Sequence, residues 1–120
     1  MHAIETFFSA WSMDTDVSRK QVIDESFRPD GTYIDPRTQG DLTGLEAIAS
    51  YVAMFHTHAP DWTATVVKSD IAGTCTRVTV AFAGTGPDGN AVVQHGQYFV
   101  DMDGSHITRM VGFVGTGAVA

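Results

Sequence analysis

The chain carries one cysteine, Cys75, in 120 residues. That excludes an intrachain disulfide and a cysteine metal cluster, and Cys75 reads as a small buried or interface hydrophobe. Basic residues are also scarce. Arg19, Lys20, Arg28, Arg37, Lys68, Arg77 and Arg109 are scattered apart from the first pair, so the basic footprint that nucleic acid needs is missing. No apolar run approaches the roughly eighteen residues of a membrane span. The opening, MHAIETFFSAW, lacks a basic region and carries Glu5, unlike a signal peptide. Neither nucleic acid nor membrane is expected as a partner, and the expected location is cytoplasmic. Repeats, low-complexity stretches and linkers are absent too, which predicts one domain over residues 1–120.

What is present is an ordinary globular composition, 43% hydrophobic and 18% charged, with a net charge of −7. The acidic balance aids solubility and favours a neutral or apolar ligand. Ile4, Phe7, Phe8 and Trp11 recur at i, i+3, i+4 and i+7, which predicts a helix over residues 3–13 with one apolar stripe. Ser18 to Gln21 has the form of a capping box and opens a short second helix with Val22, Ile23 and Phe27. Pro29-Asp30-Gly31 predicts a turn. Thr32-Tyr33-Ile34 is a short strand that Asp35-Pro36 ends, because proline cannot donate to a ladder. A second capping box, Thr43 to Glu46, starts a long helix near Gly44. Leu45, Ile48, Val52 and Phe55 line one face of it before Ala59-Pro60 stops it.

From Asp61 the period becomes two and predicts four long strands in a meander, turning at residues 86–90 and at Asp103-Gly104. The last is expected to place Ile107, Arg109, Val111 and Phe113 on one face, and residues 115–120 to fray or contact a dimer partner. Helices first and strands after indicate α+β. A strongly curved sheet covered by helices would enclose a cone with an open mouth, a natural ligand site.

Three stretches carry a resemblance over nearly the whole chain: Phe27-x-x-Asp30-Gly31-x-Tyr33-x-Asp35-Pro36, then Gly44-Leu45-Glu46-Ala47-Ile48, then Gly104-Ser105-His106-Ile107-Thr108-Arg109. In order and spacing they resemble the NTF2-like superfamily, and within it the SnoaL-like and ketosteroid-isomerase-like proteins. The resemblance implies an NTF2-like (cystatin-like) cone, a curved antiparallel sheet wrapped on a long helix plus two N-terminal helices. It also implies a homodimer through the outer sheet face. It leaves the reaction open, since the fold hosts isomerases, cyclases, epoxide hydrolases, dehydratases and members without activity. In ketosteroid isomerases the Asp of the D-P pair is the general base, and Asp35 matches that position. Their oxyanion donors, a Tyr on the first helix and a protonated Asp on the penultimate strand, fall here on Trp11 and about Gln97, so both are replaced.

By period two, Tyr33 and Asp35 share a strand face. An apolar cone there would suit a base that must release its proton again; the plainer reading is a turn Asp bonded to nearby backbone amides. His95 and Gln97 share a face of the fourth strand with Val93, Phe99 and Asp101, while Gly96 and Tyr98 take the other. The resemblance turns Gln97 inward and His95 with it, as an acid–base partner of Asp35; the plainer reading is a structural histidine. His56 and His58 lie two apart on a helix and do not share a face. Attraction to the helix C-terminus accounts for them, and no metal is expected. Trp11, Phe8, Tyr51, Met54, Phe55, Trp62, Phe82 and Met110 could line the cone, with Tyr51 the best polar candidate.

The expected function is therefore a cofactor-free acid–base enzyme, an isomerase, cyclase or lyase-like catalyst, acting on a small lipophilic cyclic molecule. Asp35 would accept the proton with His95 as its partner, and Gln97, Trp11 or Tyr33 would donate to the developing oxyanion. Trp11, Tyr33, Tyr51, Phe55, Gln97 and Phe8 would contact the ligand. The alternatives are a non-catalytic ligand-binding or dimerisation module, and an epoxide hydrolase or dehydratase that uses His95.

Overall fold

The computed structural model describes residues 2–38 and 40–114, so the expectation for residues 115–120 lies outside the described residues. Helix α1 (His2–Ser9) tightens into a 3-10 turn, Ala10–Ser12, and is followed by α2 (Asp16–Ser26), β1 (Phe27–Ile34), β2 (Leu42–Thr43) and α3 (Leu45–His58). Four strands complete the chain: β3 (Thr63–Ala72), β4 (Cys75–Thr85), β5 (Ala91–Asp103) and β6 (His106–Val114). They form one open, six-stranded sheet in the order β2-β1-β6-β5-β4-β3. It is mixed, because β1 runs parallel to β6 while the other neighbours are antiparallel. No helix among the described residues is long and apolar enough to cross a membrane.

Local chemistry sets the element boundaries. α2 starts before the expected box at Ser18, because the Thr15 side chain caps it, accepting from the Ser18 N–H at 3.2 Å. The box at Thr43 does not form: Thr43 pairs with Thr32 in β2, and Gly44 enters α3 at φ 96° without a side-chain cap. The turn expected at Pro29-Asp30-Gly31 becomes an irregularity inside β1. Phe27 pairs with Ile107 but Thr32 with Arg109, so the chain bulges out between them. A second bulge, at Thr108, breaks the expected face of β6. Ile107 and Met110 both point inward while Arg109 and Phe113 point out.

The core lies between the concave sheet face and the helices. Ile4, Phe7, Ile23, Phe27, Tyr33, Ile48, Val52, Val78, Val80, Tyr98, Val100, Ile107 and Met110 are all fully buried in it. Phe7 joins the layers, meeting Phe8, Trp11, Phe27 and Tyr33 with ring centroids 5.0–5.9 Å apart. Such ring pairs add about 0.5–1.5 kcal/mol each beyond the area they bury.

One glycine makes room for the site. Gly112 lies opposite Tyr98 in the ladder, and a Cβ there would fall 2.2 Å from the ring. Gly112→Ala is expected to cost about 1–3 kcal/mol as an overpacked contact, read as a lower urea midpoint at unchanged slope. Wild-type stability in that variant would mean that the Tyr98 ring is not packed on Gly112.

Candidate active site

Asp35 ends β1, and the chain turns there because Pro36 offers no N–H and a fixed φ. The turn folds the next two amides back onto the carboxylate. Oδ1 accepts from Arg37 N at 2.8 Å and from Thr38 N at 3.1 Å. The other oxygen, Oδ2, accepts from Tyr33 Oη at 2.7 Å and from Tyr51 Oη at 2.6 Å. Tyr98 Oη stands 3.4 Å from Tyr33 Oη. The chain has three tyrosines, and all of them converge here from β1, α3 and β5.

Proton counting orders the cluster. A phenol has one proton, and Tyr33 and Tyr51 both spend theirs on Oδ2. With the two amides they occupy the roughly four lone-pair positions of a carboxylate. Tyr98 is then left to donate to Tyr33 across a long contact, or to a ligand. Burial pushes all three phenols above the usual tyrosine value, and the Asp35 charge adds to it; the Arg37 guanidinium opposes the rise at Tyr51 and Tyr98. They are therefore neutral donors around neutral pH.

The cluster closes one end of a cavity of about 480 Å³. Trp11, Asp35, Phe82 and Tyr98 are its buried floor, Tyr51, Phe55 and Trp62 its half-buried walls, and Arg37, Thr85, Pro87 and Gln94 its exposed rim. Trp11 meets Phe55 edge-on at 4.8 Å and Tyr51 at 6.1 Å. Its Nε1–H is buried without a hydrogen-bond partner among the described residues.

Of the residues singled out from sequence, Asp35, Trp11, Tyr51, Phe55, Trp62 and Phe82 line the cavity. Tyr33 and Phe8 stand behind it, Tyr33 as a donor to Asp35 and Phe8 edge-on to Tyr98 at 5.0 Å. His95 and Gln97 do not join them. Tyr98 and Val100 fill the core from β5, so alternation sends His95 and Gln97 to the outer sheet face. There Gln97 Nε2 donates to Thr79 Oγ1 at 2.9 Å, and His95 sits opposite Ala81. The expected pairing of His95 with Asp35, and Gln97 as an oxyanion donor, are thus corrected, and the epoxide hydrolase or dehydratase reading loses its second group.

Two residues were missed. Tyr98 shares its face of β5 with the buried Gly96, and alternation alone did not mark that face as the inner one. Arg37 lies in a polar loop, and no sequence pattern marked it. Elsewhere, His58 Nδ1 lies 3.0 Å from Met54 O, and His56 Nε2 lies 3.4 Å from Asp14 Oδ1. Among the described residues, no group of three or more His, Cys, Asp or Glu is placed to hold a metal ion.

An open curved sheet wrapped on a long helix, with a carboxylate at the floor of an aromatic cavity, defines an NTF2-like cone. The chain belongs to the SnoaL-like domain family, whose profile matches residues 4–110. Solved structures agree on the fold. A provisionally assigned isomerase of the SnoaL-like family from Agrobacterium tumefaciens is similar at TM-score 0.78 and 22% identity, covering 94% of each chain. A protein with a ketosteroid isomerase-like fold from Catenulispora acidiphila, in complex with trimethylamine, gives 0.74 and 19% over 92% of this chain and 82% of that one. A provisionally assigned polyketide cyclase from Streptomyces antibioticus gives 0.76 and 17% over 94% and 89%. No curated protein matches the chain.

Proposed function

We propose that this protein is a cofactor-independent acid–base enzyme that moves a proton beside a carbonyl on a compact, lipophilic, cyclic molecule, with Asp35 as the proton acceptor. The observation that carries this reading is the convergence of three neutral phenols on one buried carboxylate at the floor of an aromatic cavity. The ligand carbonyl takes the Tyr98 O–H, whose one acceptor among the described residues lies 3.4 Å away. Tyr51, half-buried on the wall, turns its O–H from Asp35 to the same oxygen and uncovers a lone pair on Oδ2. Asp35 then takes the α-proton. The charge moves to the ligand oxygen, where phenol donors in a dry site are worth about 10²–10³ in rate each. Returning the proton elsewhere gives an isomer; attack of the enolate on a second carbonyl of the same molecule gives a ring. One proton transfer therefore serves both isomerase and cyclase chemistry.

One observation favours a second reading, a binding cavity in which Asp35 is structural: its lone-pair positions are already filled. Solvent deuterium entry into a panel of ring ketones, followed by NMR with the wild type and Asp35→Asn, separates the two. Exchange that needs Asp35 supports the enzyme; ketones that bind without exchanging leave only the binding module.

The same reading places a second copy of the chain on the outer sheet face. Phe99 and Phe113 are 40% and 50% exposed there and pack edge-on at 6.1 Å, and Val93 is exposed on the same face of β5. Sedimentation is expected to find a dimer at micromolar concentration, which Phe99→Glu would weaken. A monomer at every concentration would remove that part.

A further inference from the structure

The two charges of the cavity are treated differently by the fold. Among its lining residues Asp35 is the one carboxylic side chain and Arg37 the one basic side chain. Asp35 sits at the floor with four donors around it. Arg37 stands at the exposed rim, and its backbone N–H is the one that Asp35 Oδ1 holds at 2.8 Å, so the turn fixes where its side chain begins. Arg19, Arg28 and Arg77 each hold a carboxylate at 2.6–2.9 Å. The Arg37 guanidinium forms no ion pair among the described residues. In a chain with 14 acidic residues against seven Lys and Arg, an arginine without a carboxylate on a cavity rim is a cation left for a ligand. Its field reaches inward, since it opposes the rise of the Tyr51 and Tyr98 phenols.

We infer that the cavity takes lipophilic ring acids as their anions, with the ring against Trp11, Phe55 and Phe82 and the carboxylate on Arg37. A guanidinium presents two parallel N–H groups that match the two oxygens of a carboxylate. A neutral ring would fill the apolar walls and leave Arg37 to water. An organic cation would meet repulsion at the rim and, at the floor, a carboxylate whose lone pairs are taken. The rim position also keeps the ligand's charge away from Asp35. The net charge of −7 pointed to a neutral ligand; the local charge at the mouth reverses that. This inference rests on the proposed reading of the cavity as a small-molecule site and narrows its substrate to a ring bearing a carboxylate. It makes no use of the proton transfer at Asp35.

The test compares two probes of equal size, naphthoate and the neutral acetylnaphthalene. Binding is read from the fluorescence of Trp11 and Trp62, which both line the cavity. On the wild type, naphthoate is expected to bind about tenfold more tightly than the ketone, the size of one favourable charge contact. Arg37→Gln is expected to bring the two affinities together, and Arg37→Lys, with charge but no fork, to lie between. Added salt should weaken naphthoate and leave the ketone unchanged. Equal affinities on the wild type, or a naphthoate preference that survives Arg37→Gln, overturn the inference. If neither probe binds, the small-molecule reading falls and this inference with it. If the preference depends on Arg37 but no ring ketone exchanges deuterium, only the enzymatic reading falls.

Discussion

Asp35→Asn is expected to slow deuterium entry into a bound ring ketone about a thousandfold, within the usual range for removing a positioned base. The amide cannot accept the proton, yet it is close to isosteric. Its oxygen can still accept from the amides of Arg37 and Thr38, now at 2.8 and 3.1 Å from Oδ1. The change falls on the other side. An NH₂ would meet two O–H donors, so Tyr33 and Tyr51 must turn their protons away and accept instead. Tyr51 can turn into the cavity that it lines. Tyr33 is fully buried, and its alternative acceptor is Tyr98 Oη at 3.4 Å. The variant should therefore fold, with a loss of about 1–3 kcal/mol for a poorly matched buried group. Ketone affinity should change little, which separates a lost base from a lost pocket. A variant that folds, binds and still exchanges within tenfold of wild type would remove Asp35 from the chemistry and leave it as the anchor of the turn.

The fold was legible wherever a local pattern repeats. Ile4, Phe7, Phe8 and Trp11 form the buried stripe of the first helix because their spacing admits one packed face. The Asp35-Pro36 pair ends its strand for a reason contained in the proline itself. Legibility fails where the answer depends on a distant partner. The parallel pairing of β1 with β6 joins residues about eighty positions apart, and no periodicity near Thr32 announces it. The bulges in β1 and β6 fail for the same reason, since a bulge is defined against its neighbour. In β5 both faces carry large apolar groups, Val93 and Phe99 on one and Tyr98 and Val100 on the other. Alternation alone cannot say which face is inside, and a slip of one residue exchanges Gln97 for Tyr98. The site divides along the same line. Asp35, Trp11, Tyr51 and Phe55 lie on elements with strong local patterns. Tyr98 and Arg37 are placed by sheet register and by a loop.

The three tyrosines are expected to ionise together, well above the usual tyrosine value, and only as the fold opens. Tyr33 and Tyr98 are fully buried, and burial is the largest cause of their raised values. Below about pH 10 the phenols keep their protons in both the folded and the unfolded chain, so they add no pH dependence. Above it the unfolded chain releases protons that the native state retains. The unfolded state then binds fewer protons, so stability falls as pH rises, by about 1.4 kcal/mol per unit for each such phenol. That stability is complete below the unfolded value and lost toward the folded one. With no tyrosine outside the cluster, tyrosinate absorbance of the whole protein reads this site alone. It should stay flat past pH 10 and then rise in a single step that coincides with loss of far-ultraviolet circular dichroism. One phenol titrating near pH 10 in a chain with native dichroism would show that the cluster is open to water. The consequence for catalysis follows from the same sign: donors that stay protonated until the fold opens keep their hydrogen bonds to the ligand oxygen throughout. The pH–rate profile should then show no alkaline limb short of unfolding.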